Sequence, residues 1–171
     1  MTTLKTNIAG GDSRVPTLSL KRILFVDGLL IAAMCLVPAM SHAFSLPLYK
    51  LNPMLLCLLA GMVMVSDWRN ALLLGVLLPV VSMLVVGMPT PSTALCMVAE
   101  LVSVVAVFHL TERRMPTFVS LFGAMVFGKI MYYGMKALVV GPSVLITTNP
   151  WIQLASMLVF CTLFAVIYRK R

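Results

Sequence analysis

The sequence has little charge, and acidic residues are especially scarce. Only five Asp and Glu residues occur among 171, against 13 Lys and Arg, and charged residues make up 11% of the chain. Soluble domains carry about 25% charged residues and about 45–50% apolar ones. With 61% hydrophobic residues and a mean hydropathy of +1.04, the composition excludes an ordinary soluble domain and indicates a helical membrane protein.

Groups that commonly carry out catalysis are also scarce. His42 and His109 are the only histidines, and neither an HExxH nor a GxSxG pattern occurs. His109 follows Glu100 by nine residues, which places the two on opposite faces of a helix. An interfacial role for His109 is therefore favoured over catalysis, and we expect neither enzymatic activity nor a cofactor.

The four cysteines lack the spacing of metal ligands. They lie within apolar runs, where cysteine usually acts as a small buried hydrophobic residue; they are Cys35, Cys57, Cys96 and Cys161. The sequence therefore predicts no metal site.

One segment imitates a nucleotide-binding loop. The run from Gly123 to Lys129 matches the first seven positions of a Walker A pattern, but Ile130 stands where Ser or Thr is needed to bind magnesium. The match also lies inside an apolar run with no strand before it. Ala124 and Gly128 are better interpreted as small residues that allow two helices to pack closely.

The apolar runs predict an all-α polytopic membrane protein, a compact bundle of six transmembrane helices over residues 22–168. A disordered cytoplasmic tail (1–21) precedes the bundle, and a basic segment (169–171) follows it. The first two helices are expected at 22–40 and 53–66, and the third ends at 86. The last three are expected at 92–110, 116–140 and 150–168. The second is short for a full span. The first also resembles a cleavable signal peptide, although the polar tail before it is long for that role.

Basic residues predict the orientation of the bundle. With six spans, ten of them fall on one side and only Lys50 falls on the other; the ten are Lys5, Arg14, Lys21, Arg22, Arg69, Arg113, Arg114, Arg169, Lys170 and Arg171. Because cytoplasmic loops are enriched in Lys and Arg, both termini are expected in the cytoplasm. This distribution also argues against nucleic acid as the partner of the positive charge.

Two lysines interrupt the fifth apolar run. Lys129 and Lys136 are seven residues apart, with Tyr132 and Tyr133 between them, so the lysines share one helix face. A charge at mid-membrane costs about 2.5–3.5 kcal/mol and usually marks a functional site. Lys136 lies closer to the helix end, so it either faces the same site or snorkels outward.

Glu100 interrupts the fourth run at a matching depth. At 1.5 Å per residue, Lys136 lies about 7 Å, Glu100 about 12 Å and Lys129 about 18 Å from the outer helix ends. Neighbouring antiparallel helices could therefore bring the three together. The three charges leave a surplus of one positive charge, which predicts a small organic anion as ligand. Tyr132 and Tyr133 would complete its binding site. A purely structural ion pair is the alternative.

Four segments resemble the substrate-binding S components of energy-coupling factor (ECF) vitamin transporters over residues 22–168. The segments are Leu-Asn-Pro-Met-Leu-Leu (51–56), Gly-Met-Pro-Thr-Pro (87–91), Met-Val-Ala-Glu-Leu (97–101) and Gly-Lys-Ile-Met-Tyr-Tyr-Gly (128–134). The resemblance implies a multi-pass protein of the bacterial cytoplasmic membrane that binds a vitamin-like molecule. It would then reorient with a transmembrane coupling subunit and two cytoplasmic ATPases. Relatives often carry arginine where Lys129 stands, and no signature specifies one vitamin.

The resemblance implies where the partner binds, and the position of the loops on the predicted outer side implies where the ligand binds. The Ala-xxx-Ala helix contact of the family corresponds here to Gly28 and Ala32, which are expected to contact the coupling subunit. Loops 42–52, 87–91 and 141–149 are expected to cover the ligand from outside, with Met88, Thr90, Asn149 and Trp151 lining the pocket. A scaffold subunit of a cell-envelope complex and an intramembrane enzyme are the alternatives.

Overall fold

The computed structural model describes residues 20–43, 52–139, 141 and 150–169. Within these ranges the chain forms six helices and no strand, which confirms the all-α prediction. The helices are α1 (Leu20–Ala43), α2 (Pro53–Val65), α3 (Trp68–Val86), α4 (Pro91–Thr111), α5 (Thr117–Val139) and α6 (Pro150–Arg169).

Five of the six helices are long and apolar enough to cross a membrane, the exception being α2. With 13 residues, α2 is about 20 Å long, whereas the hydrocarbon core of a bilayer is about 30 Å thick. The molecule is therefore a helical membrane protein with five helices of spanning length and one shorter apolar helix.

Proline and polar caps set the helix boundaries close to where the sequence predicts them. Pro53 and Pro91 stand in the first turn of α2 and α4, where the missing N–H is not needed. Asp67 caps α3 by accepting a hydrogen bond from the backbone N–H of Arg69 at 3.0 Å. The main difference is at α1, which covers Leu20–Ala43. It therefore includes two residues assigned to the tail and extends three residues past its expected end, into the first two residues of the expected loop 42–52.

The centre of the bundle is the contact between α4 and α5, which depends on Gly128. A Cβ atom at Gly128 would lie 2.6 Å from Cγ2 of Val104 and 3.1 Å from the backbone oxygen of Glu100. Ala124, one turn earlier, is fully buried. The two small residues thus let the helix backbones approach each other, as interpreted from the sequence.

The remaining helices surround this pair unequally. In the most apolar stretch of each helix, only 11% of α1 and 17% of α6 is buried, compared with 39% for α3 and α4. Asp27 on α1 accepts a hydrogen bond from Nδ2 of Asn70 on α3 at 3.0 Å. The carboxylate on α1 is thus held by a buried amide of α3.

Candidate functional site

An ion pair between α4 and α5 forms the centre of the candidate site. Nζ of Lys129 lies 2.7 Å from Oε1 of Glu100, and Glu100 is only 4% exposed. The geometry follows from the close approach at Gly128, whose absent side chain leaves room for Cγ2 of Val104 and the backbone oxygen of Glu100. Lys129, the next residue, can then reach the carboxylate. The prediction that these two charges meet is thus confirmed.

A second donor reaches the same carboxylate oxygen from the start of α2. Nδ2 of Asn52 donates to Oε1 of Glu100 at 3.2 Å. Asn52 is the N-cap of α2, directly before Pro53, but its side chain makes no capping hydrogen bond. Its backbone is left-handed (φ 50°, ψ 63°), a conformation that asparagine tolerates better than most residues. The side chain is consequently directed to Glu100 instead of the helix end.

Tyr132 lies between the two lysines. Its ring centroid is 5.5 Å from Nζ of Lys129 and 5.8 Å from Nζ of Lys136, within the range of cation–π attraction. Lys136 is 6% exposed. It is therefore buried beside the aromatic ring, and the structure decides against the snorkelling interpretation.

Tyr133 extends the cluster to α6. Its hydroxyl donates to Oε1 of Gln153 at 2.9 Å, and its ring meets that of Tyr132 edge-on, with centroids 5.3 Å apart. Sequence reasoning did not select Gln153. The available signal was a single amide within an apolar helix, where an uncompensated polar group is costly.

Three other predicted pocket residues lie at the surface. Met88 is 69% exposed and Trp151 is 73% exposed. Thr90 is also exposed, and its hydroxyl lies 2.9 Å from that of Thr93. Asn149 and most of loops 42–52 and 141–149 lie outside the described residues. The described part of the site therefore consists of Glu100, Lys129, Tyr132, Tyr133 and Lys136, together with Asn52 and Gln153.

No protein-family model, curated protein or solved structure matches the chain. What the cluster can do is therefore argued from its own chemistry. It combines two cationic groups, one carboxylate, two phenols and two amides on three helices and at the N-cap of α2, a set suited to orienting a polar ligand. Within the described residues, no three His, Cys, Asp or Glu side chains are grouped closely enough to hold a metal ion.

A separate polar cluster lies at the C-terminal end of α4. The His109 ring stacks on Trp68 with centroids 4.9 Å apart, and its Nδ1 lies 3.2 Å from Oε1 of Glu112. The Tyr168 hydroxyl donates to Oε2 of the same carboxylate at 3.2 Å. His109 is thus held by an aromatic ring and a carboxylate at a helix end, an arrangement typical of the membrane interface.

Proposed function

We propose that this protein is the substrate-binding S component of an ECF-type importer. It would bind a vitamin-like small organic anion from outside and deliver it inward with a transmembrane coupling subunit and two cytoplasmic ATPases. The observation that carries the proposal is the buried cluster of Glu100, Lys129 and Lys136, whose three charges lie on adjacent apolar helices. Six spans with both termini in the cytoplasm complete the proposed arrangement.

The charges of the cluster favour an anionic ligand. The two lysines and one carboxylate leave one formal positive charge in excess, in surroundings where charge is costly. A ligand carboxylate near the lysines would offset that excess. Lysine acts as a point charge with three rotatable donors, so it can serve both Glu100 and a ligand.

The remaining groups would recognise the body of the ligand. Tyr132 offers an aromatic face between the lysines, and Tyr133 with Gln153 offers a hydroxyl and an amide. A flat molecule with one acidic group and a few polar atoms fits this set. The coupling subunit would contact Gly28 and Ala32, both exposed on α1.

The direct test is mass spectrometry of small molecules retained by the gently purified protein. The compound identified is then titrated against the parent, Lys129→Arg and Lys129→Met, each checked for a monodisperse elution profile. Arginine keeps the charge and methionine removes it, so an anion site should keep part of its affinity with Arg and lose most of it with Met. Equal binding by a folded Lys129→Met protein would contradict the anion site.

One observation favours the alternative of a structural scaffold subunit. Glu100 already pairs with Lys129 and accepts a hydrogen bond from Asn52, so this pair needs no ligand to be satisfied. The two functions predict different phenotypes in cells. Rescue of growth by uptake of a required compound supports the importer, whereas a defect of the cell envelope that is independent of that compound supports the scaffold.

A further inference from the structure

An apolar groove lies between α2 and α6, and none of its lining residues belongs to the charged cluster. Its lining includes Leu56, Ala60 and Met64 on α2, and Phe160, Leu163 and Ile167 on α6, and its free volume is about 190 Å³. All of its lining residues are apolar. Several, among them Leu56, Met64 and Leu163, are at least 40% exposed, so the groove is open to the lipid.

The length and lining of the groove suit a single hydrocarbon chain. From Leu56 to Met64 the groove is about 12 Å long. An acyl chain can lie along a groove of this length and contact apolar side chains throughout.

A polar rim adjoins one end of the groove. The ring of Phe164, which lines the groove, stacks on Tyr168 with centroids 5.1 Å apart. Tyr168 donates to Glu112, and Glu112 pairs with His109. His109 in turn stacks on Trp68. These contacts connect the end of the groove to the turns before α3 and after α4.

This rim is basic. Arg69 lies over the Trp68 ring at 5.8 Å, and Arg113 and Arg114 directly follow Glu112 in an exposed turn. Three arginines against Asp67 and Glu112 leave one formal positive charge in excess. Lipid tails are as apolar as leucine, so an acyl chain gains only packing in the groove; any preference among lipids must come from the rim. Basic residues near a membrane surface attract anionic headgroups.

We propose that the groove binds one acyl chain of an anionic phospholipid, with the phosphate of its headgroup against Arg69, Arg113 and Arg114. The proposal is independent of the transport function, since none of its residues belongs to the charged cluster. It predicts that phosphatidylglycerol binds in preference to phosphatidylcholine with the same acyl chains.

Native mass spectrometry of the delipidated protein, titrated with each of these two lipids, tests the proposal. The parent should retain phosphatidylglycerol several-fold better than phosphatidylcholine. Ala60→Phe fills the groove and should reduce bound phosphatidylglycerol by about tenfold. Ala155→Phe makes the same change at an exposed position of α6 outside the groove, and should bind as the parent does.

The charge of the rim is tested separately. Arg69→Gln should lower phosphatidylglycerol binding about fivefold, the effect of one basic group at a membrane surface, and leave phosphatidylcholine unchanged. Arg22→Gln removes an exposed charge from α1, which does not line the groove, and should have no effect.

Photolabelling locates the chain even if Ala60→Phe fails to fold. Phosphatidylglycerol with a diazirine in mid-chain should label peptides of α2 and α6 in the parent protein. Equal binding of the two lipids, or labelling spread evenly over α1 and the other exposed helices, would show ordinary annular lipid and overturn the proposal. Exclusion of the label by a co-purifying protein would also overturn it.

Discussion

At the scale of single residues, the pairing of Glu100 with Lys129 determines whether the bundle tolerates its buried charges. The pair itself adds little net stability, because desolvation of both groups offsets most of their attraction. Removing one partner leaves the other charge buried without compensation, which costs about 3–5 kcal/mol. The pair therefore fixes how α4 and α5 align more than it strengthens their contact.

This asymmetry leads to a prediction for a double-mutant cycle. Glu100→Gln and Lys129→Met should each lower the free energy of unfolding by about 3–5 kcal/mol, whereas the double variant should lose clearly less than the sum. Unfolding in detergent micelles, followed by circular dichroism, measures each value. A Glu112→Gln variant, at the partly exposed pair with His109, should cost about 1 kcal/mol or less. Additive losses at Glu100 and Lys129 would show that the two groups are not coupled.

The absent side chain of Gly128 leads to a second prediction at this scale. Gly128→Ala places a methyl group against Val104 and against the backbone oxygen of Glu100. The backbone cannot yield without moving α4, so we expect a loss of about 1–3 kcal/mol from overpacking, seen as a lower melting temperature.

Gly123→Ala is the matched control on the same helix. A Cβ atom there meets nothing within 4 Å, and alanine is the better helix former by about 1 kcal/mol. The control should thus be neutral or slightly stabilising. If Gly128→Ala behaves in the same way, the approach of α4 and α5 does not depend on this glycine.

At the scale of elements, the start of α2 connects a short helix to the charged cluster. Asn52 has two roles: its backbone is left-handed, and its side chain donates to Glu100. Two substitutions separate these roles. Asn52→Gly keeps the conformational freedom and removes the hydrogen bond, whereas Asn52→Ala removes the hydrogen bond and strains the backbone.

We expect Asn52→Gly to cost about 1.5–3 kcal/mol, the usual range for a hydrogen bond to a charged group. Asn52→Ala should cost about 1–2 kcal/mol more, because L-residues with a Cβ avoid the left-handed region. Thermal unfolding of the two variants gives the difference directly. Equal melting temperatures would mean that the turn relaxes to an ordinary conformation once the side chain is lost.

At the scale of the whole molecule, the sequence predicts the helices well because their causes are local. Apolar runs have the length of spans, and prolines such as Pro53 and Pro91 mark helix starts. The Glu100–Lys129 pair was also predictable, since buried opposite charges at similar depth on adjacent helices must meet a partner. The partners Asn52 and Gln153 were not, because they depend on how α2 and α6 are rotated against α4 and α5. The burial of Lys136 depends on the same packing.

The exposed face of α1 leads to the last prediction, which concerns the whole assembly and rests on the proposed function. Gly28 and Ala32 are both exposed, a Cβ atom at Gly28 would meet nothing within 4 Å, and α1 is the least buried of the five long helices. In lipid, helices associate through close packing of small residues, so this face is available to a coupling subunit.

Ala32→Trp should abolish co-purification of the coupling subunit and transport, while leaving ligand binding unchanged. Ala155→Trp, at another exposed alanine but on α6, should leave assembly, transport and ligand binding unchanged. Because Trp at Ala32 touches no part of the charged cluster, loss of the complex together with loss of ligand binding would indicate damage to the fold, and normal assembly would place the contact on another helix.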